Sequence, residues 1–391
     1  MEEKARKLRI ANFVTDEKFV DSAMQQLALT ADRATHDFFL CPYWKIDFHY
    51  IWKVDFRYIK TKDAVKLVAR KDILGLLKDG HYDAVILHSL DSMPYDIIAS
   101  IPRDIKVLWF AWGYDLYGEK KVIQMDQFKP LTLKALKNYP VKTRLKNAFK
   151  GILDLEQDAK YASAVERVDF FSGCIPFEYV LSRKCSFFHA RQVDFRYQAA
   201  KEFERNEDFS KGNSILIGNS ANPTGNHLDI LPYFDGVDVG DRKIVVPLSY
   251  AGPKYYIKKV KEAYSRRFGA NCVFLDGFMP AAEYNRFRDS CNIAIFFHER
   301  QQSLGNINFI LKRGGKVFLS ETSVAYNYYK TQDCSIFSLQ KDFCQTSLDT
   351  PLNRQEQIRN LDFIASSRTV KAKIERQIAI YDAIESFGFS G

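Results

Sequence analysis

Several features that would assign a chemistry directly are missing from this sequence. Its 391 residues hold only 7 cysteines, scattered without a C-x-x-C pair or a tight His/Cys cluster. This distribution is typical of thiols in a reducing cytosol and gives no support for a zinc site. A P-loop, an H-E-x-x-H motif and a nucleophile elbow are also missing, and no complete G-x-G-x-x-G follows a predicted strand. We expect neither a metal nor a bound cofactor.

Long apolar runs are missing as well. No run approaches the ~20 residues that a helix needs to span a bilayer. The charged start of the chain, Met1–Lys7, is unlike a signal peptide. We therefore expect a cytoplasmic protein whose contact with any membrane is peripheral.

Aromatic residues and positive charge are abundant. The chain has 31 Phe and 21 Tyr, is 46% hydrophobic and carries a formal net charge of +9. The apolar content suffices for large cores and argues against disorder. The charge fits an anionic membrane surface or a phosphorylated substrate. Nucleic acid is a weak alternative, because the basic residues are not arranged with stacking aromatics.

Strands alternate with helices along most of the chain, which predicts parallel β-α-β units. We predict an α/β protein with two Rossmann-like, doubly wound domains over 1–200 and 201–370. The last residues, 371–391, are predicted to form a separate helix, and the charged stretch 198–213 is the candidate linker. At the local level the patterns predict half-buried strands within 44–59, one helix over 63–78 and a short strand over 186–189.

The most informative stretch is 292–306. Five apolar residues, 293–297, predict a strand buried on both faces; a polar loop follows, and a helical pattern then begins. In open α/β sheets ligands bind at the carboxyl ends of the strands. A helix N-terminus there attracts anions, and Arg300 adds a full positive charge. We predict that this loop binds the phosphates of a ligand through Arg300, Gln301, Gln302, Ser303, Gly305 and Asn306.

Other strand ends of the second half are candidates for the same site. Gly218, Asn219 and Ser220 end its first predicted strand, where a βα turn commonly binds phosphate, although a glycine there is more often only a turn. Tyr250 ends the next strand and would stack on a base or sugar, or simply pack in the interior.

A third strand of this half leads into Phe278 and then into a helix that carries Glu283. The backbone around Phe278 is placed to read a nucleobase edge. Glu283 would accept hydrogen bonds from ribose hydroxyls, or else be a first-turn carboxylate favoured by the helix dipole.

The densest aromatic stretch of the first half, 109–117, contains a candidate general base. Asp115 follows a predicted strand, and His88 ends the neighbouring one. Either would accept a proton, and a structural role remains the alternative for each.

A basic segment covers 129–150 and has no acidic residue. Its lysines and arginines, with Lys142, Arg144 and Lys146 at the centre, are interleaved with leucines, as in helices that lie on anionic membranes. A solvated helix packed on the sheet is the equal alternative.

Several of these blocks resemble glycosyltransferase family 56, the bacterial 4-acetamido-4,6-dideoxygalactose (N-acetylfucosamine) transferases of enterobacterial common antigen synthesis. The matching blocks lie at 112–117, 215–220, 245–250 and 294–305, and Arg300-Gln301-Gln302 is the most specific element. The first part of the chain, before His88, resembles the family only in architecture.

The resemblance implies a GT-B fold, with two Rossmann-like domains facing across a cleft. The C-terminal domain would bind a nucleotide-sugar as substrate, TDP-linked in the family, with GDP or UDP left open. The N-terminal domain would bind a polyprenyl-diphosphate-linked oligosaccharide at the inner face of the plasma membrane, and the last helix would cross back to it. The expected activity is metal-independent hexosyl transfer in polysaccharide synthesis. A GT-B nucleotide-sugar epimerase and a non-catalytic nucleotide-sugar or polyanion-binding protein are the alternatives.

Overall fold

Two parallel sheets form the framework of the protein. The structure is a computed structural model that describes residues 6–42, 56–137, 156–209, 212–277 and 279–386. The strand pairings between named strands in this part of the chain are all parallel. Parallel neighbours need crossover connections, and helices supply most of them.

The first sheet has the order β3-β2-β1-β4-β5-β6-β7. Its strands are β1 (Leu8–Phe13), β2 (Ala34–Leu40), β3 (Val65–Leu67), β4 (Ala84–His88), β5 (Lys106–Phe110), β6 (Phe170–Ser172) and β7 (Arg191–Gln192). The second sheet has the order β10-β9-β8-β11-β12-β13. Its strands are β8 (Ser214–Ile217), β9 (Ile244–Pro247), β10 (Cys272–Leu275), β11 (Cys291–Phe296), β12 (Lys316–Leu319) and β13 (Phe337–Ser338).

The described α-helices follow in chain order. They are α1 (Val20–Leu27), α2 (Ile73–Asp79), α3 (Tyr95–Ala99), α4 (Gly113–Leu116), α5 (Pro130–Lys137), α6 (156–167), α7 (Phe177–Ser182), α8 (His227–Ile230), α9 (Lys254–Phe268), α10 (Ala281–Asp289), α11 (Leu304–Lys312), α12 (Val324–Thr331), α13 (Leu339–Asp342), α14 (Gln345–Asp349), α15 (Arg354–Ser366) and α16 (Val370–Ser386).

Both sheets have the doubly wound order that the β-α-β pattern predicted. In each, the direction of winding reverses next to the first strand, between β1 and β4 in one sheet and between β8 and β11 in the other. In each sheet, the connections that follow the two strands at the reversal leave on opposite faces of the sheet. A crevice therefore opens between the carboxyl ends of those two strands. The fold thus provides one candidate binding edge per sheet.

The contacts divide the chain into two compact units. The first comprises the described residues of Met1–Gln124, Phe149–Phe203 and Arg368–Gly391, and the second those of Met125–Ala148 and Glu204–Ser367. Helix α16 therefore groups with the first unit, where Ile380, Tyr381 and Ile384 join the hydrophobic core.

Helix α5 packs on the second unit, although the sequence placed it in the first domain. The carboxylate of Asp229 accepts hydrogen bonds from the backbone N–H groups of Leu131 (2.7 Å) and Thr132 (2.8 Å), and thereby caps the first turn of α5. Thr132 and Ala135 are buried against this unit. No local pattern indicates this contact, because the capping carboxylate lies almost 100 positions away in the chain.

Two local predictions were wrong. Residues 63–78 are not one helix: Val65–Leu67 forms the edge strand β3 beside β2, and α2 begins only at Ile73. The apolar spacing fits both structures, and pairing with β2 decides between them. The strand predicted over 186–189 lies instead at Arg191–Gln192. The predicted strands within 44–59 fall mostly outside the described residues.

Candidate active site

The carboxyl ends of β8 and β11 lie side by side at the reversal point of the second sheet. The backbone N–H of Gly218 donates to the carbonyl of Ile295 at 3.0 Å, so the turn after β8 starts directly beside the end of β11. The predicted ligand-binding loops 218–220 and 298–306 are therefore brought to one edge of one sheet.

Gly218 is required by this turn. Its φ is +70°, a left-handed conformation that is strained for residues with a side chain. A Cβ placed on it would also lie 2.6 Å from His227 Nε2. The imidazole of His227 is thus packed against the backbone of the turn, at a distance that only glycine permits.

Gln302 joins the loops of this edge through its side-chain amide. Its Nε2 donates to Asn219 Oδ1 at 2.9 Å, and its Oε1 accepts from the hydroxyl of Thr224 at 2.9 Å. Asn219 Nδ2 in turn donates to the hydroxyl of Tyr250 at 3.4 Å. The ends of β8, β9 and β11 therefore share one hydrogen-bond network, and Tyr250 extends it to solvent, since its side chain is exposed.

The start of α11 presents a helix N-terminus at the same edge. Ser303 precedes the helix in a left-handed conformation, with φ 64° and ψ 14°, and its hydroxyl pairs with His298 Nε2 at 3.3 Å. A Cβ on Gly305 would meet no atom within 4 Å, so the first turn is open. The first N–H groups of a helix lack intrahelical acceptors and attract anions.

Two residues of this edge were missed by the sequence reasoning. Asn306 Nδ2 donates to the hydroxyl of Tyr284 at 3.1 Å, and Asn306 Oδ1 accepts from Arg288 at 3.4 Å. Arg288 also lies over the ring of Phe309, 3.8 Å from its centroid. Tyr284 and Arg288 are one helical turn apart on α10, a spacing that could have signalled a shared face.

Buried histidines surround the turn of Gly218. Burial lowers the pKa of His227 to about 4, and it lowers the pKa of His298 well below its usual range, with the charge of Arg300 and nearby His227 adding to the effect. Both imidazoles are therefore neutral at pH 7. Within the described residues His227 Nε2 has no hydrogen-bond partner. Arg300, half-buried, is the positive charge of this group.

Glu299 is a scaffold of the loop rather than a reactive group. Its carboxylate accepts from the hydroxyls of Ser320 and Thr322, both at 2.7 Å, and pairs with Lys129 Nζ at 2.6 Å. These contacts tie the loop after β11 to the loop after β12 and to the residue before α5. Lys129, the first basic residue of 129–150, is thus committed to an ion pair.

The remaining predicted donor-binding residues occupy different environments. Ser220 and Gln301 are buried, and the Ser220 hydroxyl accepts from the backbone N–H of Asn222 at 3.4 Å. Glu283 lies exposed in the first turn of α10. Phe278 lies outside the described residues.

Asp115, the first predicted general base, lies in the interior of the first unit. Its side chain is 0% exposed. The carboxylate accepts hydrogen bonds from the backbone N–H groups of Leu90 (2.7 Å) and Trp112 (2.7 Å) and from Trp109 Nε1 (2.8 Å). Burial, with a contribution from Asp91, raises the pKa of Asp115 to about 7, a value that suits a base. Its three N–H contacts and its burial favour a structural role, and the catalytic role of Asp115 stays a prediction.

His88 is likewise an interior group. Its Nδ1 pairs with the hydroxyl of Tyr197 at 2.7 Å and its Nε2 with Asn12 Oδ1 at 3.2 Å. Burial, followed by the proximity of His36, lowers its pKa to about 3. Both ring nitrogens are occupied by these contacts, which favours a structural role, and the catalytic role of His88 stays a prediction.

A different carboxylate lies at the reversal point of the first sheet. Glu17 follows β1, next to the crevice between β1 and β4, and is half-buried. Burial, with a smaller contribution from Asp16, raises its pKa. Carboxylates with raised pKa values in such crevices are candidates for proton transfer. The sequence signal was available, because the acidic pair Asp16-Glu17 follows the end of β1 by three and four residues.

The predicted membrane residues Lys142, Arg144 and Lys146 lie outside the described residues. None of the helices in the described part is both long and apolar enough to cross a membrane. In that same part no group of three or more His, Cys, Asp or Glu residues is placed to hold a metal ion.

Comparison with known protein families gives one match over most of the chain. Residues 96–365 match the family described as 4-alpha-L-fucosyltransferase glycosyl transferase group 56. This span includes the loops after β5, β8, β9 and β11.

Solved structures show the same fold at low sequence identity. A glycosyltransferase from Rickettsia africae is 11% identical, with a TM-score of 0.60, over 97% of this chain and 99% of that one. HepE from Anabaena, in complex with UDP and glucose, is 10% identical, with a TM-score of 0.51, over 98% and 97%. AviGT4, a glycosyltransferase of avilamycin A biosynthesis, is 11% identical, with a TM-score of 0.52, over 96% and 97%. The predicted GT-B fold class, with its two Rossmann-like domains, is confirmed.

Proposed function

Because this chain belongs to the glycosyl transferase group 56 family, as the sequence blocks predicted, we propose that it transfers an N-acetylfucosamine-type (amino-)deoxyhexose. The donor would be a nucleoside-diphosphate sugar, linked to TDP or else to GDP or UDP. The acceptor would be a polyprenyl-diphosphate-linked oligosaccharide in bacterial surface polysaccharide synthesis. The chain is a glycosyltransferase; the donor, acceptor and pathway are the proposal.

The observation that carries this proposal is the shared polar edge of β8, β9 and β11. Amides, hydroxyls and a helix N-terminus converge there, and Gln302 fixes their relative positions through Asn219 and Thr224. A diphosphate needs many N–H and O–H donors within a few ångströms, and this edge offers them on rigid elements. HepE, whose fold is similar, binds UDP and glucose.

During transfer, negative charge develops on the departing diphosphate while the sugar becomes oxocarbenium-like. Arg300 and the first turn of α11 would stabilise that charge, together with the backbone of the turn at Gly218. This arrangement supplies positive charge from the protein itself. Transfer without a metal is therefore part of the proposal.

The acceptor hydroxyl must lose a proton as it attacks the sugar. We assign this proton to Glu17 in place of Asp115 and His88. Glu17 lies in the loop after β1, at the carboxyl edge of the first sheet, and burial raises its pKa, which makes the carboxylate a stronger base. Asp115 keeps its role in shaping the loops around that edge.

The basic segment would keep the enzyme at the inner face of the plasma membrane. Its described part, α5, exposes Lys134 and Lys137. Neutralising Lys142, Arg144 and Lys146 should weaken binding to anionic vesicles, by about 1 kcal/mol per charge. Unchanged vesicle binding in the triple variant would refute the membrane role.

The central experiment is incubation with TDP-, UDP- and GDP-sugars, with thermal shift, released nucleoside diphosphate and sugar epimerisation as readouts. We expect a TDP-sugar to stabilise the protein and to release TDP, faster when a lipid-linked saccharide is added. Interconversion of donor sugars without release would instead show an epimerase. Stabilisation with neither reaction, with acceptor present, would show a binding protein.

A further inference from the structure

The first unit exposes a group of aromatic rings that the fold does not need for its core. Phe19 is 41% exposed and Tyr114 is 44% exposed, which is unusual for side chains of this size. Trp112 lies between them, with ring centroids 5.4 Å from Phe19 and 6.2 Å from Tyr114. The three rings, which we call the aromatic platform, contact one another edge to face, with interplanar angles of 69° and 66°.

The platform lies at the reversal point of the first sheet. Phe19 follows the loop after β1, and Trp112 and Tyr114 follow β5, which neighbours β4. These loops leave the carboxyl ends of the strands, where doubly wound folds bind ligands. In the second unit the corresponding edge is the polar one proposed for the donor.

The rings are held in fixed positions. Trp112 Nε1 donates to the hydroxyl of Tyr197 at 3.0 Å, and the Trp112 and Tyr197 rings meet at 5.2 Å with an interplanar angle of 73°. The hydroxyl of Tyr114 is hydrogen-bonded to Ser89 and Thr15, and burial of this hydroxyl raises its pKa although the ring is exposed. An ordered surface loses little side-chain entropy on binding a ligand.

Tyr197 connects Trp112 to a buried chain of hydrogen bonds. The chain runs through Trp112, Tyr197, His88, Asn12, His36, Tyr381, Thr30 and Gln377. The amide of Asn12 fixes its direction: Nδ2 can only donate, so His36 Nδ1 accepts, and Oδ1 can only accept, so His88 Nε2 donates. Tyr197 then donates to His88 and accepts from Trp112, which sets the orientation of the indole.

Polar groups rim the platform and indicate what binds there. Thr15 provides a half-buried hydroxyl, and Glu17 and Asp91 provide half-buried carboxylates. A pyranose ring combines an apolar C–H face, which packs on an aromatic ring, with a circumference of hydroxyls that need hydrogen-bond partners. An acyl chain has no hydroxyls with which to meet these polar groups, so it fits this rim less well than a sugar ring does.

We propose that Phe19, Trp112 and Tyr114 form a stacking subsite for a sugar ring of the acceptor, and that Tyr197 positions Trp112 within it. The assignment of the bound saccharide as acceptor rests on the proposed function; the affinity for a saccharide ring does not. The class of ligand is thus an oligosaccharide bound by ring stacking and hydroxyl recognition.

The first test uses purified full-length protein and saturation-transfer NMR with N,N′-diacetylchitobiose as the probe. Wild-type protein should transfer saturation from aromatic protons to the C–H face of the sugar, and Phe19→Ala and Tyr114→Ala should each reduce this transfer. Both rings are exposed, so these variants should fold. Phe128→Ala is the matched control, since Phe128 is 40% exposed but lies in the second unit. Equal transfer in wild type and both platform variants, or none in wild type, would overturn the subsite.

The second test measures transfer to a lipid-linked saccharide. Each platform variant should raise the KM for the acceptor about 5- to 10-fold, the effect of one aromatic contact of about 1–1.5 kcal/mol. The affinity for TDP should not change. Tyr197→Phe should raise the acceptor KM less, leave the donor KM unchanged, and alter the near-ultraviolet circular dichroism of the indoles.

The two tests separate the subsite from the proposed function. Saccharide binding that depends on the platform, in a protein that transfers no sugar, would support the subsite and contradict the proposed function. Normal sugar transfer with an unchanged acceptor KM in all three variants would support the proposed function and contradict the subsite.

Discussion

The two units share one architecture and differ in what they place at the carboxyl edge of the sheet. In the first unit that edge exposes rings, Phe19 and Tyr114 among them, and its internal polar groups are paired with one another. In the second unit it presents amides, hydroxyls and a helix N-terminus, and His227 Nε2 is left without a partner among the described residues. An aromatic edge suits a sugar ring, and a polar edge suits a diphosphate.

Buried carboxylates sharpen the comparison, because each unit has one just after a central strand. Asp115 follows β5 and is held by three N–H donors. Glu299 follows β11 and is held by two hydroxyls and Lys129. Only Glu299 has a cation as partner, and the pKa of Asp115 is raised to about 7 by burial. Both carboxylates hold loops in place through these contacts.

The largest effect is expected from a substitution that disrupts only the polar edge of the second unit. Arg300→Ala should lower kcat/KM for the donor about 100- to 1000-fold, because charge on the departing diphosphate loses its cationic partner. Saccharide binding to the first unit should not change. Steady-state kinetics and titration with nucleoside diphosphate are the measurements.

Arg266→Ala, which removes an exposed arginine from the last turn of α9, is the control. Unchanged donor affinity and turnover in Arg300→Ala would show that the diphosphate binds elsewhere.

The next prediction separates a base from a scaffold within the first unit. Glu17→Gln should lower kcat about 100-fold and leave the melting temperature nearly unchanged, because it removes only the proton acceptor. Asp115→Asn should destabilise the protein by about 2–3 kcal/mol, because its amide would turn N–H groups towards N–H donors. Kinetics and thermal unfolding of both variants test this pair.

The opposite pattern, a stable but inactive Asp115→Asn beside a fully active Glu17→Gln, would return the catalytic role to Asp115. Saturating substrate keeps the loss in kcat distinct from a loss of binding.

A smaller effect is expected from the turn of the second unit. Gly218→Ala should cost about 2 kcal/mol, since it adds left-handed strain to a contact with His227, and it should weaken donor binding. Gly236→Ala is the matched control: φ at Gly236 is +76°, but a Cβ there meets nothing within 4 Å. The difference between the two variants in urea unfolding measures the contact alone. Equal losses would mean that His227 moves aside freely.

The last effect is expected from acid and is smallest close to neutral pH. The pKa values of His36 (about 4) and His88 (about 3) in the first unit, and of His227 (about 4) in the second, lie below the ordinary value of 6.5, mainly because of burial. The unfolded chain then binds more protons. Each histidine's contribution to stability should be constant above about pH 7 and fall by about 1.4 kcal/mol per pH unit between pH 6.5 and its pKa in the folded protein.

Hydrogen exchange at pH 7.5 and pH 5 would locate this loss in each unit. His88→Gln should reduce the pH dependence of the free energy of unfolding in acid by the equivalent of one proton. It should leave the second unit unchanged. An unchanged slope in that variant would mean that His88 is charged in the folded protein.

Much of the fold followed from the sequence because it depends on local periodicity. The apolar run 293–297 became the end of β11 and the residue after it, and the helical pattern after Gly305 became α11. The prediction failed where two structures share one pattern: Val65 and Leu67 suit a helix face and an edge strand equally. Pairing with the edge of β2 selects the strand over the helix.

The candidate site also contains features that the sequence predicted and features that it could not show. The sequence placed Gly218, Asn219, Tyr250 and Gln302 at strand ends, and parallel strands bring such ends together; the structure joins three of these side chains by hydrogen bonds. The sequence could not show that Asp115 is enclosed, because its burial depends on Leu90, Trp109 and Trp112 closing around it. Nor could it show the hydrogen-bond chain from Trp112 to Gln377.

The sequence by itself therefore determined the two doubly wound domains, the family and the chemical character of the loops, since all three depend on residue order along the chain. The tertiary structure alone decided which carboxylate is accessible, which unit holds α5 and which aromatic rings reach the surface. These properties depend on contacts between residues far apart in sequence, such as Leu131 with Asp229 or Trp112 with Tyr197, and no local pattern encodes them.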